Sequence, residues 1–297
     1  MSLDNSLVVI QSKNKKYLTV LKSGEEFIIN DGKISYDDIK TLPVQVQSST
    51  GDYFNIYTPT YKEFVLLMRR GPQIIYPKDV GSIIVDGNIR NNSTVLEIGT
   101  GSGALTLFLI LILGKEGKVY SLDADKKNQY RAHKTIERYL STLNNDIESN
   151  LKLINSKLIN FSLESLEEKI DTIVTDVPEP WDFFENNIIN KDLSWVSYLP
   201  SISQVEKISS CLKENNFQNI EIKENLERYW IIKENSLPSF PKINIKNNVN
   251  APEPVPISKT VELFLIFPST IILPTSFGYI ICGPLLINKT NSLYVGV

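Results

Sequence analysis

VLEIGTGSGALTLFL, residues 95–109, is the stretch from which the fold follows. An apolar strand ends at Glu97. Gly99, Gly101 and Gly103 come next, and an apolar helix, ALTLFLILIL, opens at once. Glycines let a backbone turn sharply and approach a ligand closely. A helix starting there presents free N–H groups to whatever the loop holds. Such loops serve nucleotides in general. Gly99, Gly101 and Ala104 also satisfy the looser dinucleotide pattern G-x-G-x-x-A. A tight turn holding no ligand is the plainer reading of the glycines alone.

Outward from the loop, the pattern alternates. KVYSLD (118–123) reads as a strand and KNQYRAHKTIERYL (127–140) as a helix. LKLIN (151–155), DTIVTDV (171–177) and WVSYL (195–199) read as further strands. Strands alternating with helices imply a Rossmann-like α/β fold, a parallel sheet covered on both faces. After about residue 217, FQNIEIKENLERYWII and KTVELFLIF read as an antiparallel pair closing one edge. Residues 236–256 between them are rich in Pro and Asn and read as a loop.

Upstream, residues 1–58 read as a small β-rich, barrel-like domain. Its strands LVVIQS, KYLTVL, EFIIND, PVQVQS and YFNIYTP are separated by Ser23-Gly24, Asp31-Gly32 and Thr50-Gly51-Asp52. Residues 59–92 hold a connecting helix, YKEFVLLMRR, and a basic segment. The catalytic domain then runs over 93–267, and 268–297 form an apolar C-terminal extension.

Asp123 ends the second strand, about 20 residues beyond the glycines. A carboxylate there accepts hydrogen bonds from ribose hydroxyls, which fits the adenosine of NAD or of S-adenosylmethionine. Glu97, just before the first glycine, favours S-adenosylmethionine, because its carboxylate can engage the methionine ammonium directly or through water. Asp176 sits at the carboxyl end of the fourth strand, the edge where open α/β sheets bind ligands. Pro178 and Pro180 stiffen the following turn, and Trp181 supplies a flat apolar wall. A carboxylate beside an aromatic wall can hold a planar base with an exocyclic amine. The plainer alternative is a capping aspartate in a proline-rich loop.

Lys plus Arg number 31 and Asp plus Glu 34, a net charge of −3. Nucleic-acid binding would therefore need a local basic face. RRGPQIIYPKD, residues 69–79, offers one, with Arg69, Arg70 and Lys78 accompanied by Gln73 and Tyr76. Lys13, Lys15, Lys16 and Lys22 could extend it or simply be solvated. One histidine and two cysteines exclude a histidine-rich or four-cysteine zinc site and a disulfide framework, and no metal is expected. His133 lies in a polar helical stretch and reads as a surface residue. The N-terminus lacks the segments of a signal peptide, so a cytoplasmic, reducing location is expected.

Together, RRGPQIIYPKDVG, VLEIGTGSGALTLFL, KVYSLD, DVPEPW and YLPSISQV, with the Arg and Trp of ERYW, resemble the tRNA (adenine-N1)-methyltransferases that modify the T-loop, in particular their catalytic subunits. The resemblance spans about residues 1–267. It implies methyl transfer from S-adenosylmethionine to N1 of an adenosine in tRNA. Asp176 matches the family's catalytic aspartate, and Tyr76 would help position the base. Ser102, Gly103, Ala104, Leu105 and Asp123 match cofactor positions, and Asn155 and Ser156 would lie near the adenine. Arg69, Arg70, Gln73, Lys78 and Trp181 would face the substrate. Family members form tetramers, so a homotetramer is expected, with a heteromer as the alternative; the alternative functions are a non-catalytic tRNA-binding partner subunit and a methyltransferase acting on another substrate.

There are departures from the family pattern. No acidic residue is visible after the third strand in LINSKLINF, and the family's late His-Thr pair is Lys259-Thr260 here. Residues beyond about 268 have no counterpart. Leu263 to Asn288 carry no charge, yet Pro268, Pro274, Gly278, Gly283 and Pro284 break the run. That punctuation argues against a membrane span and for two short strands, TIIL and YIICG.

Overall fold

The computed structural model describes residues 3–12, 15–69, 71–143, 150–189 and 192–228, and the backbone of 279–284. The first sixty residues build two small antiparallel sheets. β1 (Leu7–Gln11), β2 (Lys16–Val20), β5 (Val44–Gln47) and β6 (Tyr53–Tyr57) pair in the order β2-β1-β6-β5. β3 (Glu26–Ile29) and β4 (Gly32–Ser35) form a separate hairpin. Alternation along these strands sends Val8, Ile10, Ile34, Phe54 and Ile56 into one small core. The reading of the sequence lacked β4, because GKIS offers only one apolar residue to mark a strand.

Thr60 then starts α1 (Tyr61–Leu67) through a capping box with Glu63. Glu63 also accepts from Lys16 of β2 at 2.6 Å and from Tyr57 at 2.8 Å, tying the β-module to the helix. Burial opposes ionisation of Glu63, but these hydrogen bonds prevail and hold its pKa down to about 2. Tyr61 closes the same joint from the other side. Its hydroxyl donates to the Ala104 carbonyl at 2.9 Å.

The larger sheet is built from β7 (Thr94–Ile98), β8 (Lys118–Asp123), β9 (Leu151–Asn155), β10 (Thr172–Thr175), β11 (Ser194–Leu199), β12 (Glu221–Lys223) and β13 (Tyr279–Pro284). Their order is β12-β13-β11-β10-β7-β8-β9. β11, β10, β7, β8 and β9 run parallel, and β13 is antiparallel to both neighbours. The helices are α2 (Pro77–Asp86), α3 (Ala104–Leu113), α4 (Lys126–Leu140) and α5 (Ile202–Glu214).

The two faces divide by strand alternation. Val95, Val119, Val174 and Val196 pack under residues of α1 to α4 such as Phe64, Val80, Leu107 and Ile136. Leu96, Ile98, Tyr120, Ile173 and Trp195 pack under α5 through Val205, Ile208 and Leu212, with Phe161 and Phe183. Both faces are thus dry, as a parallel sheet requires. From β7 the chain moves outward to β8 and β9, then returns to place β10 on the other side of β7. That reversal opens the ligand crevice of a doubly wound sheet between the carboxyl ends of β7 and β10.

Several expectations need amending. α2 occupies much of the segment read as a basic linker, and α5 was not anticipated. Within the described part of the long strand expected from 217 to 232, β12 spans Glu221–Lys223, and 229–232 lie outside the described residues. The strand beside β11 comes from the tail, not from KTVELFLIF; the latter and TIIL lie outside the described residues. The two apolar runs share the strand pattern, and periodicity alone does not rank them for one slot.

Candidate active site

Register sets the site. Ile98 of β7 stands beside Leu122 of β8 and Thr175 of β10, so Gly99, Asp123 and Asp176 succeed them along one edge. Gly99 N–H donates to the Leu122 carbonyl at 2.8 Å, and Asp176 N–H donates to the Ile98 carbonyl at 2.8 Å. Gly99 has φ +105°, and a Cβ there would stand 2.4 Å from the Asp176 carbonyl oxygen. Only glycine lets these two loops meet. Gly101 has open space instead, its nearest outside neighbour being Pro72 at 3.7 Å from a Cβ position. Ser102 precedes Gly103, which caps α3 in the left-handed region and lets Ala104 and Leu105 open the helix.

Glu97 lies behind the loop and is 1% exposed. Its Oε2 accepts from Thr106 at 2.6 Å and from Ser121 at 2.5 Å, and Ser121 in turn contacts Thr100 at 2.7 Å. Its Oε1 is buried with no partner. Burial, with Asp176 and Asp123 nearby, raises its pKa to about 8. Thr106 and Ser121 were not singled out from the sequence. The available signal was polarity at two inward places: Thr106 in a wholly apolar helix and Ser121 inside an apolar strand.

Asp123 points both carboxylate oxygens along the same edge. Oδ2 accepts from Gly101 N–H at 2.9 Å and Oδ1 from Asp125 N–H at 2.8 Å. Asn155 turns toward the backbone, donating to the Asp123 carbonyl at 2.9 Å, and Ser156 N–H donates to the same oxygen at 3.2 Å. These two hold the end of β8 in place. Gln129 of α4 does likewise from below, donating to Ser121 and Ile154 carbonyls at 3.2 and 2.7 Å.

Asp176 has no side-chain hydrogen bond among the described residues, and burial raises its pKa to about 7. Its loop is held further along. Gln204 of α5 donates to the Pro178 carbonyl at 2.8 Å, and Lys207 Nζ sits 3.9 Å from the Trp181 ring centre. Trp181 is partly buried against the α5 core, and Lys207 lies over one face of its ring.

Of the substrate candidates, Tyr76 caps the start of α2 without a side-chain cap bond and packs against the core. Arg69 and Gln73 are exposed, and Arg70 lies outside the described residues. Lys78 departs from expectation. Its Nζ donates to buried Asp79 at 2.8 Å and to the Asn225 carbonyl at 2.9 Å. Asp79 also accepts from Tyr198 at 3.2 Å and Asn225 at 3.3 Å. A wholly buried carboxylate needs such a counter-charge, so Lys78 serves the fold there and is not part of an exposed basic face.

These residues fit S-adenosylmethionine. The unpartnered Glu97 Oε1 calls for a donor, the open side of Gly101 admits a ligand close to backbone, and Asp123 offers two oxygens at the loop's rim. Among the described residues, no cluster of His, Cys, Asp and Glu could hold a metal ion, and no helix is long and apolar enough to cross a membrane.

Comparison with known proteins agrees. The profile of the family described as tRNA methyltransferase complex GCD14 subunit matches residues 52–259. The tRNA (adenine(57)-N(1)/adenine(58)-N(1))-methyltransferase TrmI of Methanocaldococcus jannaschii is 34% identical over 240 residues, covering 74% of this chain and 84% of its own. The tRNA (adenine(58)-N(1))-methyltransferase TrmI of Thermus thermophilus is 27% identical over 237 residues, 78% and 90% of the two chains. Among solved structures, the tRNA (m1A58) methyltransferase TrmI of Aquifex aeolicus superposes with TM-score 0.67 at 24% identity, covering 97% of this chain and 99% of that one. An S-adenosylmethionine-dependent O-methyltransferase of Thermotoga maritima gives 0.74 at 18% identity, covering 98% and 96%. At those identities the structures speak for the fold, a methyltransferase-type sheet with an N-terminal β-module.

Proposed function

The chain belongs to the tRNA methyltransferase complex GCD14 subunit family, and from that premise we propose that it transfers a methyl group from S-adenosylmethionine to N1 of an adenosine in the T-loop of tRNA. The observation that carries this reading is Asp176. A carboxyl with no side-chain hydrogen bond among the described residues stands at the end of β10, its backbone against Gly99 of the cofactor loop.

The cofactor supplies an electrophilic methyl on a sulfonium. Glu97 and Asp123 would hold it, by its ammonium and ribose hydroxyls respectively, with the backbone of Gly99, Gly101, Ser102, Gly103, Ala104 and Leu105 close by. Asn155 and Ser156, by fixing the end of β8, set where Asp123 presents its oxygens. These residues would thereby hold that methyl toward the N1 lone pair of a flipped adenine, a new carbon–nitrogen bond replacing the sulfur–carbon bond. The ring gains positive charge in that step. Asp176 accepts from the N6 amine and stabilises that charge, a task that requires its ionised form. Tyr76, at the start of α2, would position the base. Arg69, Arg70 and Gln73 would meet tRNA outside the crevice.

Further expectations concern assembly and place. The chain works as a homotetramer in the cytoplasm, and a heteromer is the alternative, favoured by the family's being that of a complex subunit. Incubation of unmodified tRNA with labelled S-adenosylmethionine, followed by nucleoside analysis, tests the activity. Label in 1-methyladenosine is expected, and label in another nucleoside or none refutes the reading. Light scattering of the purified chain tests the assembly.

A further inference from the structure

We propose that the outer face of α4 is a docking surface for the phosphate backbone of tRNA. The inference rests on the substrate class proposed above and locates a surface for it. Lys127, Arg131, Lys134 and Arg138 follow at spacings of four, three and four residues, which stacks them on one side of a helix. All four are exposed, as is Lys126. Tyr130 stands in the same stripe, 65% exposed, with Lys134 Nζ 6.0 Å from its ring centre. An exposed aromatic among cations suits stacking on an unpaired base.

The opposite face of α4 is accounted for. Gln129, Ala132, Ile136, Tyr139 and Leu140 are buried against the sheet and its neighbours. From Lys126 to Arg138 the only acid is Glu137, which pairs with Lys134 at 2.9 Å and meets His133 at 3.5 Å. Lys127 and Arg131 have no ion pair among the described residues. A helix stabilised as a solvated surface would mix signs along the stripe; this one concentrates a single sign in a chain of net charge −3.

The stripe also reaches the site. Arg131 Nη1 lies 3.9 Å from where a Cβ on Gly71 would stand, and Pro72 neighbours Gly101 of the cofactor loop. Exposed Arg69 belongs to that same segment. The cations of α4 therefore continue the basic segment away from the crevice. From Lys127 to Arg138 the helix rises about 16 Å, enough to run beside several phosphates of one strand. Lys78, which is tied to Asp79, is replaced in this role by residues that the linear sequence keeps far from Arg69.

The test is filter binding of unmodified tRNA to the full chain over a salt series, with Lys127→Gln, Arg131→Gln and Lys134→Gln combined. A control combines Lys115→Gln, Lys169→Gln and Lys213→Gln, the same charge change at the amino-terminal edge of the sheet. The α4 variant should bind at least tenfold more weakly at low salt. Its log–log salt slope should flatten by roughly 0.7–0.9 for each phosphate that is no longer neutralised. The control should bind like the unsubstituted chain, and both variants should keep its affinity for S-adenosylmethionine. Glu137→Gln, which removes the stripe's only acid, should tighten binding. Equal affinity and slope in the α4 variant and the unsubstituted chain would overturn the proposal, and so would equal losses in the variant and its control. Labelled methyl transfer by the unsubstituted chain is measured alongside. If it methylates no tRNA, the catalytic reading fails separately from the docking surface.

Discussion

Replacing Glu97 with glutamine should remove a pH dependence from stability and weaken cofactor binding. In the folded chain Glu97 has a pKa of about 8, against an ordinary value of 4.5. Between those limits the folded state keeps a proton that the unfolded state has released. Stability therefore falls as pH rises from about 5 to 8, by about 1.4 kcal/mol per pH unit from this group alone. Glutamine does not titrate and can still accept from Thr106 and Ser121. Its amide NH₂ takes the place of Oε1, which has no partner now, at a cost of about 1–3 kcal/mol. The variant should thus be somewhat less stable than the parent at pH 5, and should gain on it by about 1.4 kcal/mol per pH unit up to pH 8. Cofactor affinity should fall, because a charge-assisted hydrogen bond worth about 1.5–3 kcal/mol is lost. That corresponds to a loss of about 10- to 150-fold in Kd. Urea denaturation at pH 5, 6, 7 and 8 and calorimetric titration with S-adenosylmethionine measure the two effects. A stability difference independent of pH would refute the raised pKa, and an unchanged Kd would remove Glu97 from the cofactor site.

Asp123→Ala should lose cofactor affinity by about 1.5–3 kcal/mol with an intact fold, and unchanged titration calorimetry would contradict this. Asp176→Asn should lower single-turnover methylation about 10²–10³-fold with little change in cofactor Kd; near-normal turnover would make Asp176 structural. In the unsubstituted chain Asp176 must be ionised to act, and its pKa is raised to about 7. The single-turnover rate should therefore climb as pH rises toward neutrality, with a midpoint at or below 7 because the bound cation favours the carboxylate; a rate flat from pH 5.5 to 8 would oppose the assignment. Gly99→Ala forces a Cβ to 2.4 Å from the Asp176 carbonyl and should destabilise by about 2–4 kcal/mol, seen as a lowered urea midpoint.

Most of the sheet was legible because its strands carry their own punctuation. Gly99, Gly101 and Gly103 mark a turn that a parallel strand and a helix must share, and KVYSLD ends in the acid that the turn faces. What escaped had weak or shared signals. α2 begins at Pro77, and its first turn holds Lys78 and Asp79, so the stretch reads as a charged linker until Asp79 proves wholly buried. α5 does carry an N-cap, Ser201, and apolar residues at Val205, Ile208 and Leu212, but they follow so closely on the apolar strand β11 that the boundary between the two patterns is weakly marked. At the site, the acids were readable and their supports were not. Thr106, Ser121, Gln129 and Gln204 act through partners 8 to 26 residues away, and no local pattern encodes such pairings. The ties of Lys78 were unreadable for the same reason, since its partner Asn225 is 147 residues distant.

The net charge of −3 conceals a division of labour between inside and edge. Glu97, Asp123 and Asp176 converge on the carboxyl ends of three adjacent strands, and each is available to a cation. Burial raises the pKa of Glu97 and Asp176 toward neutrality, so the site carries less negative charge before a cation arrives than its three acids suggest. A sulfonium cofactor with an ammonium group supplies that cation, and its arrival favours the ionised form of Asp176 that methyl transfer needs. The same acids would repel a polyanionic substrate. Binding of tRNA would then have to come from cations placed outside the crevice, a part that exposed Arg69 and the outer face of α4 would fill. The cofactor's cationic groups are offset by its own carboxylate and by the acids that ionise around it, so filling the site changes its net charge little. In direct binding measurements, S-adenosylmethionine should therefore alter tRNA affinity only slightly, and a large change on cofactor binding would refute this separation of the acids from the docking cations.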